Sequence, residues 1–312
     1  PYDVIADPSL SPKEIFISGF DSSPLSADYD FTTKDQKESI LEAIKYLSKL
    51  TKGSINISLR KESNSFLKDL NNVVIHNVSG PHPSGNLSTI INRVSPINKG
   101  DIVWTLNLPD LVVIGNTILN GKFSPERLIA LVGSSISKPQ YIKVLLGSNI
   151  STFLNLNDSN SRIISGNVFT GTKIDLNGHL RYYSNEITAI PEGNDYDLFG
   201  WAKPMFEKFS VSRALTFSWL FPNKNYDLNT NTNGEHRAFV VTGSFEEVFP
   251  LDIYPMQILK ACMYKDLDEM EALGMYEVSP EDFALTEFIC VSKQPHQNII
   301  RDGLDLMKKE IG

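Results

Sequence analysis

The stretch Gly80-Pro-His-Pro-Ser-Gly85 constrains the fold more than any other. Before it stands the β-branched run Val73-Val-Ile-His76, which reads as a strand. After it, Leu87, Ile90 and Ile91 recur at helical spacing and predict a helix starting near residues 84–87. Pro81 and Pro83 fix their own φ and bias Gly80 and His82 towards extended backbone. Gly85 supplies a positive φ or lets another group approach the chain closely. Strand, glycine-containing loop and helix form a βα unit, whose helix N-terminus can face an anion or a cofactor. The loop matches neither dinucleotide nor P-loop spacing, so a tight turn without a ligand stands beside that reading.

The flanking sequence repeats the same grammar. The first fourteen residues read as a lead-in, and Ile15-Phe-Ile17 is a buried-type strand ending at Gly19-Phe20-Asp21. Thr33-Lys-Asp-Gln36 fits a capping box, and Ile40, Leu41, Ile44, Leu47 and Leu50 mark one face of a helix closed by Gly53. Ile55-Asn-Ile-Ser-Leu59 alternates like a strand, and a short helix is expected over 65–70. Ile102-Val-Trp-Thr-Leu106 is the next strand; 111–119 is a helix ending at Gly121 or, from its Val-Val-Ile core, a strand. Alternating strands and helices predict a parallel sheet covered by helices.

From about Ser124 the texture changes to short strands at 128–132, 141–146, 162–165 and 168–169, with one short helix at about 150–156. A further strand is expected at 186–190, and Asn233-Gly234 marks a hairpin between 226–232 and 237–242. Phe199, Trp201, Phe206, Phe209, Phe217, Trp219 and Phe221 crowd one interval and read as core packing. From Pro250 the chain turns helical. Pro255 suits a first helical position, Asp266 caps a helix running to Gly274, Ser279-Pro280 opens another to about Cys290, and 298–311 is a last amphipathic helix.

A net charge of −8 argues against a nucleic-acid groove and against direct adsorption to an anionic membrane, so work at a membrane would require protein partners. No run of ~18 apolar residues predicts a transmembrane helix. The start lacks a signal-peptide pattern, and Pro1 in place of a methionine suggests a trimmed start. Cys262 and Cys290, the only cysteines, suit a reducing compartment and are too few for a four-cysteine cluster. The five histidines, His76, His82, His179, His236 and His296, show no metal-ligand spacing. No GxSxG elbow and no standout carboxylate pair occur, so no catalytic side chain is expected.

Six stretches together resemble the NqrA subunit of the sodium-translocating NADH:quinone oxidoreductase. They are Ser18-Gly-Phe-Asp-Ser-Ser-Pro-Leu-Ser-Ala-Asp28, Gly80-Pro-His-Pro-Ser-Gly85, Asn185-Glu-Ile-Thr-Ala-Ile-Pro-Glu-Gly193, Lys208-Phe-Ser-Val-Ser-Arg213, Asn231-Thr-Asn-Gly234 and Pro250-Leu-Asp-Ile-Tyr-Pro255. The layout is similar, more distantly, to the C subunit of the Rnf electron-transport complex and to the flavin subunit of respiratory complex I. The resemblance implies an α/β chain in four parts: a Rossmann-like parallel-sheet domain (1–124), a small α+β β-grasp domain of the SLBB type (125–180), a β-rich connecting region (181–248) and a cluster-free, ferredoxin-like helical bundle (249–312). The family's N-terminal barrel-sandwich region is not visible.

The resemblance also implies a peripheral position on the cytoplasmic face of the bacterial inner membrane. The chain would be held there by the other members of the complex (B to F), chiefly the membrane-embedded ones, with NADH, flavins and the iron–sulfur centre on those partners. Complex I carries consecutive acids after the glycine equivalent to Gly85; here Asn86 and Leu87 stand there, so neither FMN nor NADH is expected on this chain. A stand-alone flavin or NADH enzyme, and a small-ligand module acting through the β-grasp domain, are the alternatives. A quinone is the candidate ligand, in a cleft where the loops after the first and third strands meet. Phe20 would offer an apolar face, His82 a hydrogen bond or proton, and Gly85 close approach.

Overall fold

The computed structural model describes residues 4–193, 198–200, 206, 208–213, 218–240 and 243–311. The first sheet is built from β1 (Glu14–Ser18), β2 (Ile55–Arg60), β3 (Val74–Val78) and β4 (Val103–Asn107), all parallel, in the order β3-β2-β1-β4. Both faces of β1 are covered, which explains its unbroken apolar run. Ile15 and Ile17 pack with Ile40 and Ile44 of α2 (Lys37–Leu47) and with Leu108 and Leu111 of α4 (Leu108–Asn120). Phe16, on the other face, packs with Ile90 and Ile91 of α3 (Leu87–Val94).

The ambiguous stretch at 111–119 is helical. Asn107 and Asp110 form a capping box, Pro109 sits in the first turn, and Gly121 ends the helix in the left-handed region. Gly115 lets α4 cross α2 closely, since a Cβ there would lie 1.8 Å from the Ser39 carbonyl oxygen. The capping box expected at Thr33 does not form. Tyr29–Thr32 make a short helix, α1, and Thr33 Oγ1 donates to Tyr29 O at 2.8 Å, so Gln36 precedes α2 without a side-chain cap. Nor does Gly53 close α2: Ser48 caps it, and Gly53 instead lies against the Lys13 carbonyl.

The second sheet has the order β6-β5-β9-β7-β8. Its strands are β5 (Glu126–Val132), β6 (Gln140–Leu145), β7 (Ser161–Ser165), β8 (Thr172–Ile174) and β9 (Glu186–Pro191), and only the β5–β9 pair is parallel. Residues 168–169, expected as a strand, form a turn, because Asn167 Oδ1 accepts from the backbone N–H of Phe169 at 2.9 Å and of Thr170 at 2.8 Å. In the interval 181–248, β9 is the one strand among the described residues.

The hairpin at Asn233-Gly234 is absent from the described residues 226–240. Asn229 and Asn231 bend the chain by accepting from the backbone N–H two residues on, at 3.0 and 3.3 Å, and Arg237 N donates to Ser292 O at 2.9 Å instead of to a partner strand. The end of the second expected strand, 241–242, lies outside the described residues, as do Trp201 and Phe217. The other aromatics of that interval are not core: Phe199, Phe206, Phe209, Trp219 and Phe221 are all exposed.

The C-terminal part is helical: α5 (Pro255–Tyr264), α6 (Leu267–Ala272), α7 (Ala284–Ile289) and α8 (His296–Glu310). Ile258, Leu259, Met270, Phe283, Leu304 and both cysteines are buried in its core. Phe288, expected there, is 43% exposed and faces other parts of the chain. Among the described residues no helix is long and apolar enough to cross a membrane.

Candidate functional site

The loops after β1 and β3 meet. Strand order reverses between β1 and β4, yet the loop after β3 returns to the end of β1 because α3 packs under Phe16. Ser22 Oγ lies 3.0 Å from His82 Nδ1 and accepts from Gly85 N–H at 3.0 Å. A Cβ on Gly85 would come within 2.8 Å of Ser22 Oγ and 3.0 Å of Phe20 Cε2, so glycine is required by close approach. Phe20, His82 and Gly85 are thus brought together. Phe20 is buried, and its ring lies under the Arg60 guanidinium at 5.0 Å, so it forms a wall and not an open face.

His82 is half-buried and stacks on Phe169, ring centres 5.1 Å apart. Burial lowers its pKa against the pull of Asp21, so the ring is neutral near pH 7. Ser22 Oγ accepts from Gly85, and its hydroxyl can either donate to His82 Nδ1 or accept from it. Nε2 is buried without a hydrogen-bond partner. An orphaned buried polar group costs about 1–3 kcal/mol. The site therefore holds one unpartnered ring nitrogen beside an aromatic ring.

Two acids complete the surroundings. Asp21 accepts from Ser23 N and Ser23 Oγ, at 2.7 and 2.6 Å, and from Asn167 Nδ2 at 3.4 Å. Glu186, at the start of β9, accepts from Ala27 N at 3.2 Å. Burial first, and then the charge of Asp21, raise its pKa to about 7. Asn185 Nδ2 donates to the buried Tyr29 hydroxyl at 2.9 Å. Neither acid was legible as a partner of the other, since one follows a strand of the first sheet and the other opens a strand of the second; the one signal was a carboxylate opening an otherwise uncharged strand.

The first turn of α3 is where a dinucleotide's phosphates would sit in such a βα unit. Here Asn86, Ser88 and Thr89 are buried, and Asn86 Nδ2 and Ser88 Oγ both donate to Asp282 Oδ1 from the C-terminal helices. A carboxylate covers that turn, and the residues present do not fit an anionic cofactor there.

Known proteins share this architecture. The family model described as the NqrA second alpha/beta domain matches residues 1–123, and the one described as the NQRA C-terminal domain, of SLBB type, matches 128–175. The NqrA subunit of the Na+-translocating NADH-quinone reductase from Neisseria meningitidis serogroup B is 34% identical over 99% of this chain and 70% of its own length. The chain belongs to the NqrA family of Na+-translocating NADH-quinone reductases. The NqrA proteins of Histophilus somni (33%) and Hahella chejuensis (34%) match over the same shares. A chain of an NAD+-reducing [NiFe]-hydrogenase superposes over 97% of this chain and 56% of its own, at TM-score 0.44 and 11% identity. Two of the six stretches quoted above meet in this chain: the charge of Asp21 acts on Glu186.

Proposed function

We propose that this chain serves its reductase complex as a peripheral member that receives a quinone at His82. The observation that carries the reading is the buried, unpartnered Nε2, which in this reading bears the imidazole proton. A quinone carbonyl is an uncharged acceptor, suited to a neutral imidazole donor and to apolar surroundings. In this reading Phe20 and Gly85 form the wall, Ser22 holds the tautomer, and the Phe169 ring moves off His82 to admit the ligand. Partner proteins of the complex hold the chain at the cytoplasmic face of the membrane, and carry the NADH, flavin and iron–sulfur chemistry that this chain does not perform. The C-terminal helices, with a core of mainly apolar side chains, serve as a docking element for them.

The test is quinone affinity of the assembled complex carrying His82→Ala, alone and with Phe20→Ala. Loss of one buried hydrogen bond should weaken binding about tenfold. Unchanged affinity in a fully assembled double variant would contradict the reading.

A further inference from the structure

We propose that Glu186 is the catch of a proton-sensitive latch: protonated, it holds the loop of residues 20–29 against the second sheet, and ionised beside Asp21 it releases that loop. The inference stands apart from the quinone reading. Four contacts fasten the loop, each to a different residue of the second sheet or its connections. Asn167 Nδ2 donates to Asp21 Oδ2 at 3.4 Å, and Ala27 N donates to Glu186 Oε2 at 3.2 Å. Asp28 N donates to the Tyr141 hydroxyl oxygen at 3.0 Å, and Asn185 Nδ2 to that of Tyr29 at 2.9 Å. The loop is thus pinned to β6, to β9 with the residue before it, and to the turn after β7. The same loop carries Phe20 and Ser22, so its release reaches the His82 site.

Ala27, Tyr29, Asn185 and Glu186 are buried, whereas Asp28 and Tyr141 lie at the exposed rim. A carboxylate in the buried part is stable only when protonated or paired. The titratable and charged groups of the joint are Asp21 in the loop, Asp28 and Tyr29 at α1, Asp110 on α4, Arg127 on β5 and Tyr141 on β6. Arg127 is bonded to Asp110 and to Asn185 Oδ1, so its charge is already matched. Burial and the surrounding carboxylates keep the proton on the Tyr29 hydroxyl. Asp21 is the charge that acts on Glu186, and no cation among the described residues offsets it. A protonated Glu186 still accepts from Ala27 through its carbonyl oxygen. An ionised one is buried beside a second negative charge, and opening of the joint gives it water and separates it from Asp21. Burial and Asp21 raise its pKa from 4.5 to about 7, so the closed latch is fully favoured below 4.5 and loses ground as pH rises to about 7.

Hydrogen exchange of the full 312-residue chain tests the latch through the amides of Ala27 and Asp28, whose acceptors are Glu186 and Tyr141. Exchange is read as protection factors between about pH 5.5 and about pH 8.5, which divides out its intrinsic pH dependence, with the amides of β2 as control. Protection of Ala27 and Asp28 should fall about thirtyfold over that range, and β2 should not follow. Glu186→Gln, which cannot ionise, should hold the protection constant, and Asp21→Asn should make the fall shallower. The carboxyl carbon resonance of Glu186 in the unaltered chain needs no substitution and should titrate near pH 7. Constant protection in the parent chain, or a fall that is shared by β2 or persists in Glu186→Gln, would overturn the latch. So would an unchanged fall in Asp21→Asn, or a Glu186 resonance that titrates near 4.5.

Discussion

Replacing Arg127 with methionine is expected to cost about 3–5 kcal/mol of folding stability. Arg127 lies on β5, its side chain is only 2% exposed, and its guanidinium reaches into the first domain. NH2 donates to Asp110 Oδ1 at 2.5 Å, and NH1 donates to Tyr182 O and Asn185 Oδ1, both at 3.1 Å. Asp110 Oδ2 in turn accepts from Asn107 N and caps α4. Burial raises the Asp110 pKa even against the neighbouring guanidinium, so desolvation outweighs the partner's pull. Without Arg127 a buried carboxylate must stay charged alone or take up a proton. Adding Asp110→Asn should recover part of the loss, since the amide oxygen can still cap α4. Urea denaturation at pH 7 measures both variants, and a loss below about 1 kcal/mol for Arg127→Met would show the pair to be dispensable.

Asp282→Ala is expected to cost about 3 kcal/mol or more and to loosen the C-terminal helices from α3. Asp282 is buried, with both oxygens saturated. Oδ1 accepts from Asn86 and Ser88, and Oδ2 accepts from Ser279 N and Ser279 Oγ, each at 2.8 Å. Burial nonetheless raises its pKa, with the hydrogen bonds opposing. Alanine strands four donors in a buried joint, and Asp282→Asn presents an NH2 group to partners that all donate in this arrangement, so Ser88 and Asn86 would have to reverse their roles. Both variants should therefore lose stability, whereas a response to shape alone would spare the asparagine. Limited proteolysis between 192 and 254 should quicken in both. An Asp282→Asn chain as stable as the parent would contradict this account of the joint.

Local signals were legible where one segment decides its own structure. The apolar run of β1, the alternation of β2 and the Pro255 and Asp266 helix starts follow from their residues. Signals failed where distant partners compete. Thr33 gave its hydroxyl to Tyr29, and Asn233-Gly234 lost its hairpin to a contact between Arg237 and Ser292. The aromatic interval read as core because ring content says nothing about which side faces solvent. Within the site, His82, Phe20 and Gly85 follow from βα grammar, since the loops at the ends of parallel strands gather. Phe169, Asp21 with Glu186, and Asp282 come from segments 60–200 residues apart. No spacing rule brings those together; only the packing of the two sheets and the C-terminal helices does.

The central claim is that His82 holds an unspent Nε2–H that a quinone accepts. The most direct measurement is a nitrogen–proton correlation spectrum of the chain labelled with 15N-histidine, the His82 signal being assigned by its loss in His82→Gln. At pH 7 the account predicts a neutral ring with its proton on Nε2, and a shift of that resonance that saturates on adding quinone. A proton on Nδ1, or an Nε2 signal unmoved by saturating quinone, would contradict it.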